Sequence, residues 1–207
     1  MRIDEILSAA PVMPVVTIDD ASKAAPLARA LVAGGLRAIE VTMRTPAALE
    51  AVRVIAREVP EAWPGVGTVL SGRDLDAAAE AGARFAVSPG ATPDLLKAAR
   101  DAQLPYLPAI ATASELMAAM EAGFQVCKFF PASSAGGPAA LKAFAGPFAS
   151  VRFNPTGGID AASAPSYLAL ANVLCVGGSW ITPADAIAAG DFARIERLAR
   201  AAAALRK

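Results

Sequence analysis

The sequence of 207 residues contains no histidine and only two cysteines. Without an imidazole side chain, mechanisms that use histidine as a general base, as the partner of a nucleophile or as a metal ligand are excluded. Two cysteines cannot complete a closed zinc site, so none is expected. Cys127 and Cys175 lie in strand-like apolar runs, which is typical of buried free thiols in a reducing compartment. We therefore expect a cytoplasmic protein.

An excess of charge of either sign is also lacking. Nineteen basic residues balance nineteen acidic ones, and only 18% of the residues are charged, which excludes an electrostatic footprint for nucleic acid or an anionic membrane. Prolines and glycines interrupt the one long uncharged stretch, 161–184, so it does not predict a membrane span. The early acids Asp4 and Glu5, followed by Pro11 and Pro14, argue against a signal peptide.

Hydrophobic residues, by contrast, make up 55% of the chain. This content excludes intrinsic disorder and can fill a core, and the length fits one domain spanning 1–207. Short β-rich runs recur, with alanine-rich amphipathic segments between them. The predicted strands are Met13–Ile18, Ala38–Met43, Gly65–Val69, Phe85–Ser88, Tyr106–Ile110, Val126–Phe130, Val151–Pro155 and Val173–Val176. Eight strand–helix units predict an α/β fold, a compact (β/α)8 TIM barrel of parallel strands.

Helix-start signals support this architecture. Thr45–Pro46 and Thr182–Pro183 each place a hydroxyl before a proline that can begin a helix. Ser71–Asp74 and Thr112–Glu115 have the spacing of capping boxes. A doubly wound open sheet is the alternative, but no Gly-x-Gly-x-x-Gly follows the first strand and no Gly-Lys-Ser/Thr occurs anywhere.

Charged side chains inside predicted strands mark the candidate site, because interior barrel positions otherwise carry branched aliphatic residues. Lys128 is the only one of the five lysines inside a predicted strand. Desolvation favours the neutral amine, which attacks carbonyl carbons and forms Schiff bases; a structural ion pair is the alternative. Glu40 lies on strand 2, across the barrel from strand 6 and in the same interior layer. It is therefore expected to face Lys128, either to move protons or to pair with it structurally.

Further candidates stand at the mouths of the strands. The planar fork of Arg44 suits a carboxylate or a phosphate, although a solvated surface arginine fits as well. Thr68 and Pro89 follow strands 3 and 4, where they either shape a pocket or only form turns. Two glycine pairs, Gly157–Gly158 and Gly177–Gly178, follow strands 7 and 8, where barrels often bind phosphate through backbone N–H groups.

A strand lysine, a facing glutamate, an anion-binding arginine and phosphate-binding loops together indicate one chemistry. The lysine condenses with a 2-oxo acid, the iminium withdraws electrons, and a C–C bond breaks or forms. The sequence therefore predicts a class I aldolase that acts on a phosphorylated 2-oxo acid.

Six segments also carry a family resemblance, and they follow one another in the order Ile39–Pro46, Gly67–Val69, Val87–Gly90, Lys128–Ala132, Asn154–Ile159 and Val176–Trp180. Through them the chain, from about Pro11 to Pro183, resembles the bacterial 2-dehydro-3-deoxy-6-phosphogluconate (KDPG) aldolases of the Entner–Doudoroff pathway, the KDPG/KHG aldolase family. The resemblance implies cleavage of that substrate to pyruvate and glyceraldehyde 3-phosphate. It also implies a homotrimer that needs no metal and no cofactor.

The resemblance further implies a role for each matching residue. Lys128 matches the Schiff-base lysine, and Glu40 matches the acid/base that moves protons with water. The other matches are Arg44 and Thr68 for the pyruvate carboxylate, Pro89 and Phe130 for the pocket wall, Thr156 for the sugar-acid chain, and Gly157, Gly158, Gly178 and Ser179 for the phosphate.

Two departures from the family's sequence pattern and three alternative functions stay open. Ala109 stands where the family pattern has glycine and is expected to crowd the barrel mouth, and Ser133 replaces an acid in a loop. A sister aldolase would act on the 6-phosphogalactonate epimer or on 4-hydroxy-2-oxoglutarate, because one or two pocket contacts read a hydroxyl's configuration. A sugar-phosphate isomerase or epimerase would use Glu40 as its base. A barrel-derived oligomeric scaffold would have only incidental activity.

Overall fold

In the computed structural model, which describes residues 1–205, short parallel strands alternate with helices. The strands are β1 (Val12–Val16), β2 (Ala38–Thr42), β3 (Trp63–Gly67), β4 (Phe85–Val87), β5 (Tyr106–Leu107), β6 (Ala109–Ile110), β7 (Val126–Phe129), β8 (Arg152–Pro155) and β9 (Val176–Gly178). The helices are α1 (Ile3–Ser8), α2 (Ala24–Ala33), α3 (Ala48–Glu58), α4 (Gly72–Glu80), α5 (Pro93–Asp101), α6 (Ala113–Glu121), α7 (Gly137–Phe144), α8 (Ala164–Leu168), α9 (Ala184–Ala189) and α10 (Phe192–Ala203). Within residues 1–205, no helix has the length and apolar character that crossing a membrane requires.

The strands form two parallel sheets. One has six strands in the order β5-β4-β3-β2-β1-β9, and the other has three in the order β6-β7-β8. An isolated parallel bridge between Thr156 and Gly177 brings the carboxyl ends of β8 and β9 together. Because parallel strands point the same way, the loops that follow them gather at one end of the molecule, where such folds bind ligands.

The predicted strand Tyr106–Ile110 is two strands, because Pro108 separates β5 from β6. Proline has no N–H to donate to a ladder, although the carbonyl of Pro108 accepts from the N–H of Lys128 at 2.8 Å. β5 therefore pairs with β4 while β6 pairs with β7. This change of partner is where the six-stranded sheet ends and the three-stranded sheet begins.

The last predicted strand, Val173–Val176, is wrong in its boundaries. Val173 forms only an isolated bridge with Phe153, and β9 begins at Val176. It continues through Gly177 and Gly178, which both pair with β1. The glycine pair that the sequence suggested as a loop is thus part of the ladder, because the backbone N–H and C=O groups of glycine pair like those of any other residue.

Two of the four predicted helix starts are confirmed. Thr112 and Glu115 form a complete capping box at the start of α6, and Ser71 caps α4. Thr45 and Thr182 do not cap helices, because α3 and α9 begin further along the chain, with Ala47 and Pro183 at their N-cap positions. The hydroxyls of Thr45 and Thr182 donate to the carbonyls of Ile18 and Ser179.

The strands are buried on both faces, as near-continuous apolar runs in parallel sheets require. On β4, Ala86 belongs to the main core, whereas Phe85 and Val87 belong to a second, smaller cluster. Ile6 and Leu7 of α1 join this second cluster. The short amino-terminal helix therefore covers one end of the inner strand faces, and the polar site lies among the remaining inner positions.

Gly34 follows α2 where this helix packs against α10. A Cβ at Gly34 would lie 2.4 Å from the Cβ of Ala199 and 2.9 Å from the carbonyl oxygen of Glu196. We expect Gly34→Ala to lower the free energy of unfolding by about 1–3 kcal/mol, because overpacking forces the helices apart. Chemical denaturation measures the change. Gly90→Ala, with no heavy atom within 4 Å of the added Cβ, is the control, and an equal loss in both variants would contradict the packing explanation.

Candidate active site

Lys128 on β7 and Glu40 on β2 form a buried ion pair. Lys128 Nζ lies 3.0 Å from Oε1 and 3.3 Å from Oε2 of Glu40. The two side chains are 6% and 1% exposed, so little water screens their interaction. The ring centroid of Phe130 lies 5.4 Å from the same Nζ, within the range of a cation–π contact. The structure thus brings together the two charged residues that the sequence placed opposite each other.

Strand alternation and one glycine produce this arrangement. Cys127 and Phe129 belong to the main core, so Lys128 between them points to the opposite face of β7. Gly67 makes room for the carboxylate, because a Cβ there would lie 2.4 Å from Glu40 Oε1. Any larger residue at the end of β3 would move Glu40 away from its position beside the amine.

Two other ionisable groups of the interior, on Cys127 and Tyr106, are held in their neutral forms. Burial raises the pKa of the Cys127 thiol to about 12, so the reactive thiolate does not form near neutral pH. Burial likewise raises the pKa of Tyr106 to about 12, and its hydroxyl shares a hydrogen bond with Ser88. Cys127 and Cys175 are both buried, and neither forms a disulfide within residues 1–205, as the sequence predicted.

Arg44 and Thr68 follow two neighbouring strands, β2 and β3, whose ladder ends with Thr42 paired to Gly67. Arg44 is exposed, and its guanidinium has no side-chain or backbone partner within residues 1–205. Thr68 has a left-handed backbone with φ of 64°. Such strain in a β-branched residue costs about 1–3 kcal/mol and is typical of functional sites.

The loops after β8 and β9 present unused donors. Gly157 and Gly158 have φ values of 102° and 71°, a conformation that glycine adopts without strain. Across residues 1–205, no acceptor takes the backbone N–H of Gly158 or Ser179. The bridge between Thr156 and Gly177 holds the two loops next to each other. Unpaired N–H groups in adjacent glycine loops suit an anion such as a phosphate.

The remaining predicted positions lie around this end of the molecule. Gly178 is buried at the end of β9, where an added Cβ would lie 1.8 Å from the ring of Trp180. Pro89 follows β4 and is half-buried. Within the described chain, no hydrogen bond or ion pair joins Arg44, Pro89 or Ser179 to the Lys128–Glu40 pair.

The two departures from the family pattern both contact the site region. Ala109 is buried on β6 and pairs in register with Lys128, so its methyl group lies at the level of the lysine. Ser133 donates its backbone N–H to the carbonyl of Gly157 at 3.0 Å. A Cβ at Gly158 would lie 2.6 Å from that of Ser133, so this serine packs directly on the glycine loop.

Sequence reasoning missed a buried hydrogen-bond chain that supports Thr156. The Thr156 hydroxyl donates to Asn154 Oδ1 at 3.1 Å. Asn154 Nδ2 in turn lies 3.2 Å from the carbonyl oxygen and 3.1 Å from Sγ of Cys175. Asn154 also pairs in register with Lys128. Its spacing of two residues from Thr156, which puts both on one strand face, is the signal that could have identified it.

A wide cleft of about 820 Å³ lies away from these residues. Its lining includes Arg84, Pro105 and Phe124, which come just before β4, β5 and β7. The cleft therefore opens at the amino ends of the strands. Because parallel sheets bind ligands at their carboxyl ends, the candidate site is assigned by its chemistry rather than by cavity size.

Comparison with known proteins identifies the family. The family model for KDPG and KHG aldolase matches residues 3–198. The KHG/KDPG aldolase of Escherichia coli is 55% identical over 199 residues, which cover 96% of this chain and 93% of that protein.

Solved structures agree with the sequence comparison. The KDPG aldolase of Legionella pneumophila, with pyruvate captured as a covalent carbinolamine intermediate, has a TM-score of 0.96 and 43% identity and covers 98% of each chain. The 2-keto-3-deoxy-6-phosphogluconate aldolase of Zymomonas mobilis with 3-phosphoglycerate has a TM-score of 0.94 and 49% identity, over 99% of this chain and 96% of that one. The chain therefore belongs to the KDPG and KHG aldolase family.

Proposed function

We propose that the chain is a class I aldolase that reversibly cleaves 2-dehydro-3-deoxy-6-phosphogluconate to pyruvate and glyceraldehyde 3-phosphate through a Schiff base on Lys128. The observation that carries this proposal is the buried contact of 3.0 Å between Lys128 Nζ and Glu40, in a chain of this aldolase family. A lysine among apolar strands beside a carboxylate has a nucleophile and a proton acceptor within reach of one another.

Schiff-base formation begins when the Lys128 ammonium gives a proton to Glu40. The neutral amine attacks C2 of the 2-oxo acid, a C–N bond forms, and the carbonyl π electrons move to oxygen. Glu40 moves one nitrogen proton to that oxygen, giving the carbinolamine. Glu40 then gives the proton that it took from the ammonium to the hydroxyl, which leaves as water, so that the iminium keeps its N–H and the Glu40 carboxylate is restored.

The iminium then draws electrons from the C3–C4 bond of the substrate. The C4 hydroxyl gives its proton to Glu40 through water, glyceraldehyde 3-phosphate leaves, and an enamine remains. Glu40 returns the proton to C3, which becomes the methyl carbon of pyruvate. Water adds to C2 of the regenerated iminium, the C–N bond breaks, and Lys128 is free for another cycle.

The residues at the strand mouths bind the two ends of the substrate. Arg44 and Thr68 take the pyruvate carboxylate, a role supported by the unpartnered guanidinium and by the strained threonine after the neighbouring strand. Pro89 and Phe130 form the pocket wall, and the contact of Phe130 with the amine supports its place there. Thr156 orients the sugar-acid chain.

Phosphate binds to the loops that contain Gly157, Gly158, Gly178 and Ser179. The unused N–H groups of these loops support the assignment, as does the phosphorylated ligand, 3-phosphoglycerate, in the Zymomonas mobilis relative. Backbone donors and a serine hydroxyl together satisfy several phosphate oxygens without a metal.

A second activity, on 4-hydroxy-2-oxoglutarate, is favoured by the name of the Escherichia coli relative, KHG/KDPG aldolase. The same lysine would form the same Schiff base, and the phosphate loops would stay empty. The 6-phosphogalactonate epimer has weaker support, because the structure named KDPGal is only 25% identical to this chain. In an isomerase with Glu40 as its base, Lys128 would be only the electrostatic partner of that base, and a scaffold would need neither residue; the aldolase family of the chain favours neither alternative.

We further infer that the two sheets close into one (β/α)8 barrel that forms a single domain over residues 1–207. At one junction between the two sheets, only Pro108 separates β5 from β6, and its carbonyl accepts a hydrogen bond from Lys128 of β7. At the other junction the bridge between Thr156 and Gly177 supports closure. A single cooperative unfolding transition with coincident probes tests this inference, and two separate transitions would contradict it.

Assembly and location complete the proposal. The family resemblance supports a homotrimer, which sedimentation equilibrium tests as three times the 21.0 kDa chain mass. Neither buried cysteine forms a disulfide within residues 1–205, which supports a reducing, cytoplasmic location; cell fractionation tests this location. Phosphorylated 2-oxo sugar acids and pyruvate are the small-molecule partners.

Replacing Lys128 tests the mechanism. Lys128→Arg keeps a positive charge beside Glu40 but cannot form a Schiff base, so we expect cleavage to fall on the order of 10⁴-fold while the fold is kept. Lys128→Met would also leave the buried Glu40 unpaired, which costs about 3–5 kcal/mol. A coupled pyruvate assay and circular dichroism measure both effects. Lys142→Arg on the surface of α7 is the control, and a Lys128→Arg variant with more than about a tenth of the original rate would refute the Schiff base.

Replacing Ser179 tests phosphate binding. Ser179→Ala removes one hydroxyl donor, so we expect KM for the phosphorylated substrate to rise about tenfold. KM for 4-hydroxy-2-oxoglutarate should not change, because that substrate has no phosphate. Steady-state kinetics on both substrates make the comparison, with Ser150→Ala at an exposed site as the control. Equal increases for the two substrates would rule out a phosphate contact.

A further inference from the structure

The hydrogen bonds around Asn154 give the Thr156 hydroxyl a fixed direction. The carbonyl oxygen of Cys175 can only accept, so the part of the Asn154 amide that faces it at 3.2 Å is the NH₂ group. Oδ1 of the same amide therefore faces Thr156 and accepts its hydroxyl hydrogen at 3.1 Å. A threonine hydroxyl has only one hydrogen, so the Thr156 hydroxyl can offer any other group only its lone pairs.

Packing keeps both side chains in this arrangement. Asn154 is fully buried and Thr156 is 6% exposed. The Thr156 hydroxyl lies over Gly177, where an added Cβ would be 2.1 Å from Oγ1. The backbone N–H of Thr156 donates to the carbonyl of Phe129 at 2.9 Å. Backbone and hydroxyl of Thr156 are thus each fixed by a separate hydrogen bond.

We propose that Asn154 is a positioning residue that makes Thr156 a hydrogen-bond acceptor for a hydroxyl group on the aldehyde-derived half of the substrate. This inference rests on the proposed aldolase function. An acceptor at this point selects ligands that offer an O–H there and disfavours those that offer only a carbonyl or ether oxygen. Pyruvate has no hydroxyl group, so reactions of pyruvate alone do not need the contact.

The difference between the two halves of the substrate defines the experiment. Asn154→Leu keeps the branched shape of the side chain but removes both hydrogen bonds, after which the Thr156 hydroxyl can rotate. We expect kcat/KM for cleavage of 2-dehydro-3-deoxy-6-phosphogluconate to fall about tenfold. The rate at which the pyruvate methyl protons exchange with deuterated water, followed by NMR, should stay within about twofold, because Lys128 and Glu40 carry out this reaction and pyruvate offers no hydroxyl group to Thr156.

A double-mutant cycle separates positioning from a structural role. Thr156→Val should lower kcat/KM for cleavage by the same factor as Asn154→Leu. The double variant should show no further decrease, since Asn154 acts through Thr156. Asn154→Asp keeps an acceptor for the Thr156 hydroxyl, so it should recover the ratio of cleavage to exchange even if its stability is lower. This ratio is measured within one sample and does not depend on the folded fraction.

Each contrary outcome has a distinct meaning. Equal loss of cleavage and exchange in Asn154→Leu, or additive losses in the double variant, would overturn the positioning role and leave the aldolase proposal intact. An Asn154→Asp variant with the same altered ratio as Asn154→Leu would overturn it as well. Absence of pyruvate exchange in the unaltered chain would overturn the proposed function and this inference with it.

Discussion

The ion pair between Lys128 and Glu40 is the interaction on which the rest of the site depends. Burial of one charge alone costs several kcal/mol, on the order of 3–5 kcal/mol when a partner is removed. Each residue is therefore tolerated in the interior because the other lies 3.0 Å away. The same closeness provides the proton transfer that frees the amine for attack. The contact that compensates the two buried charges is also the one across which the first proton transfer of the proposed mechanism takes place.

Small residues at strand ends provide the space that the polar groups need. Gly67 lies against Glu40, Gly177 lies against Thr156, and Gly178 lies under the ring of Trp180. At each of these positions a Cβ would occupy the place of the functional or covering side chain. Glycine in a strand weakens its packing, so the strands lose some stability where they line the site. The apolar cluster beneath, to which α1 contributes, lies on the same strand faces.

Much of this arrangement could be predicted from the sequence, because strand alternation and loop position are local properties. The alternation around Lys128 predicted the face to which it points, and the order of the strands placed Glu40 opposite. Strand pairing is harder to predict from the sequence, because the change of partner strand at Pro108 depends on residues far away in the chain. Asn154 lies in a family motif but its position in the sequence implies no role, because its partner Cys175 is twenty-one residues away, just before β9. Hydrogen-bond direction of this kind follows from tertiary contacts and has no signature in one segment.

The most direct test of the account is borohydride reduction in the presence of pyruvate, followed by peptide mass mapping. A Schiff base on the buried amine would be reduced to a stable secondary amine, so a single adduct on Lys128 is the predicted result. The exposed lysines on helices, such as Lys97 and Lys142, should remain unmodified. No adduct from folded protein, or adducts spread over the surface lysines, would contradict the account and leave the Lys128–Glu40 pair as a structural contact only.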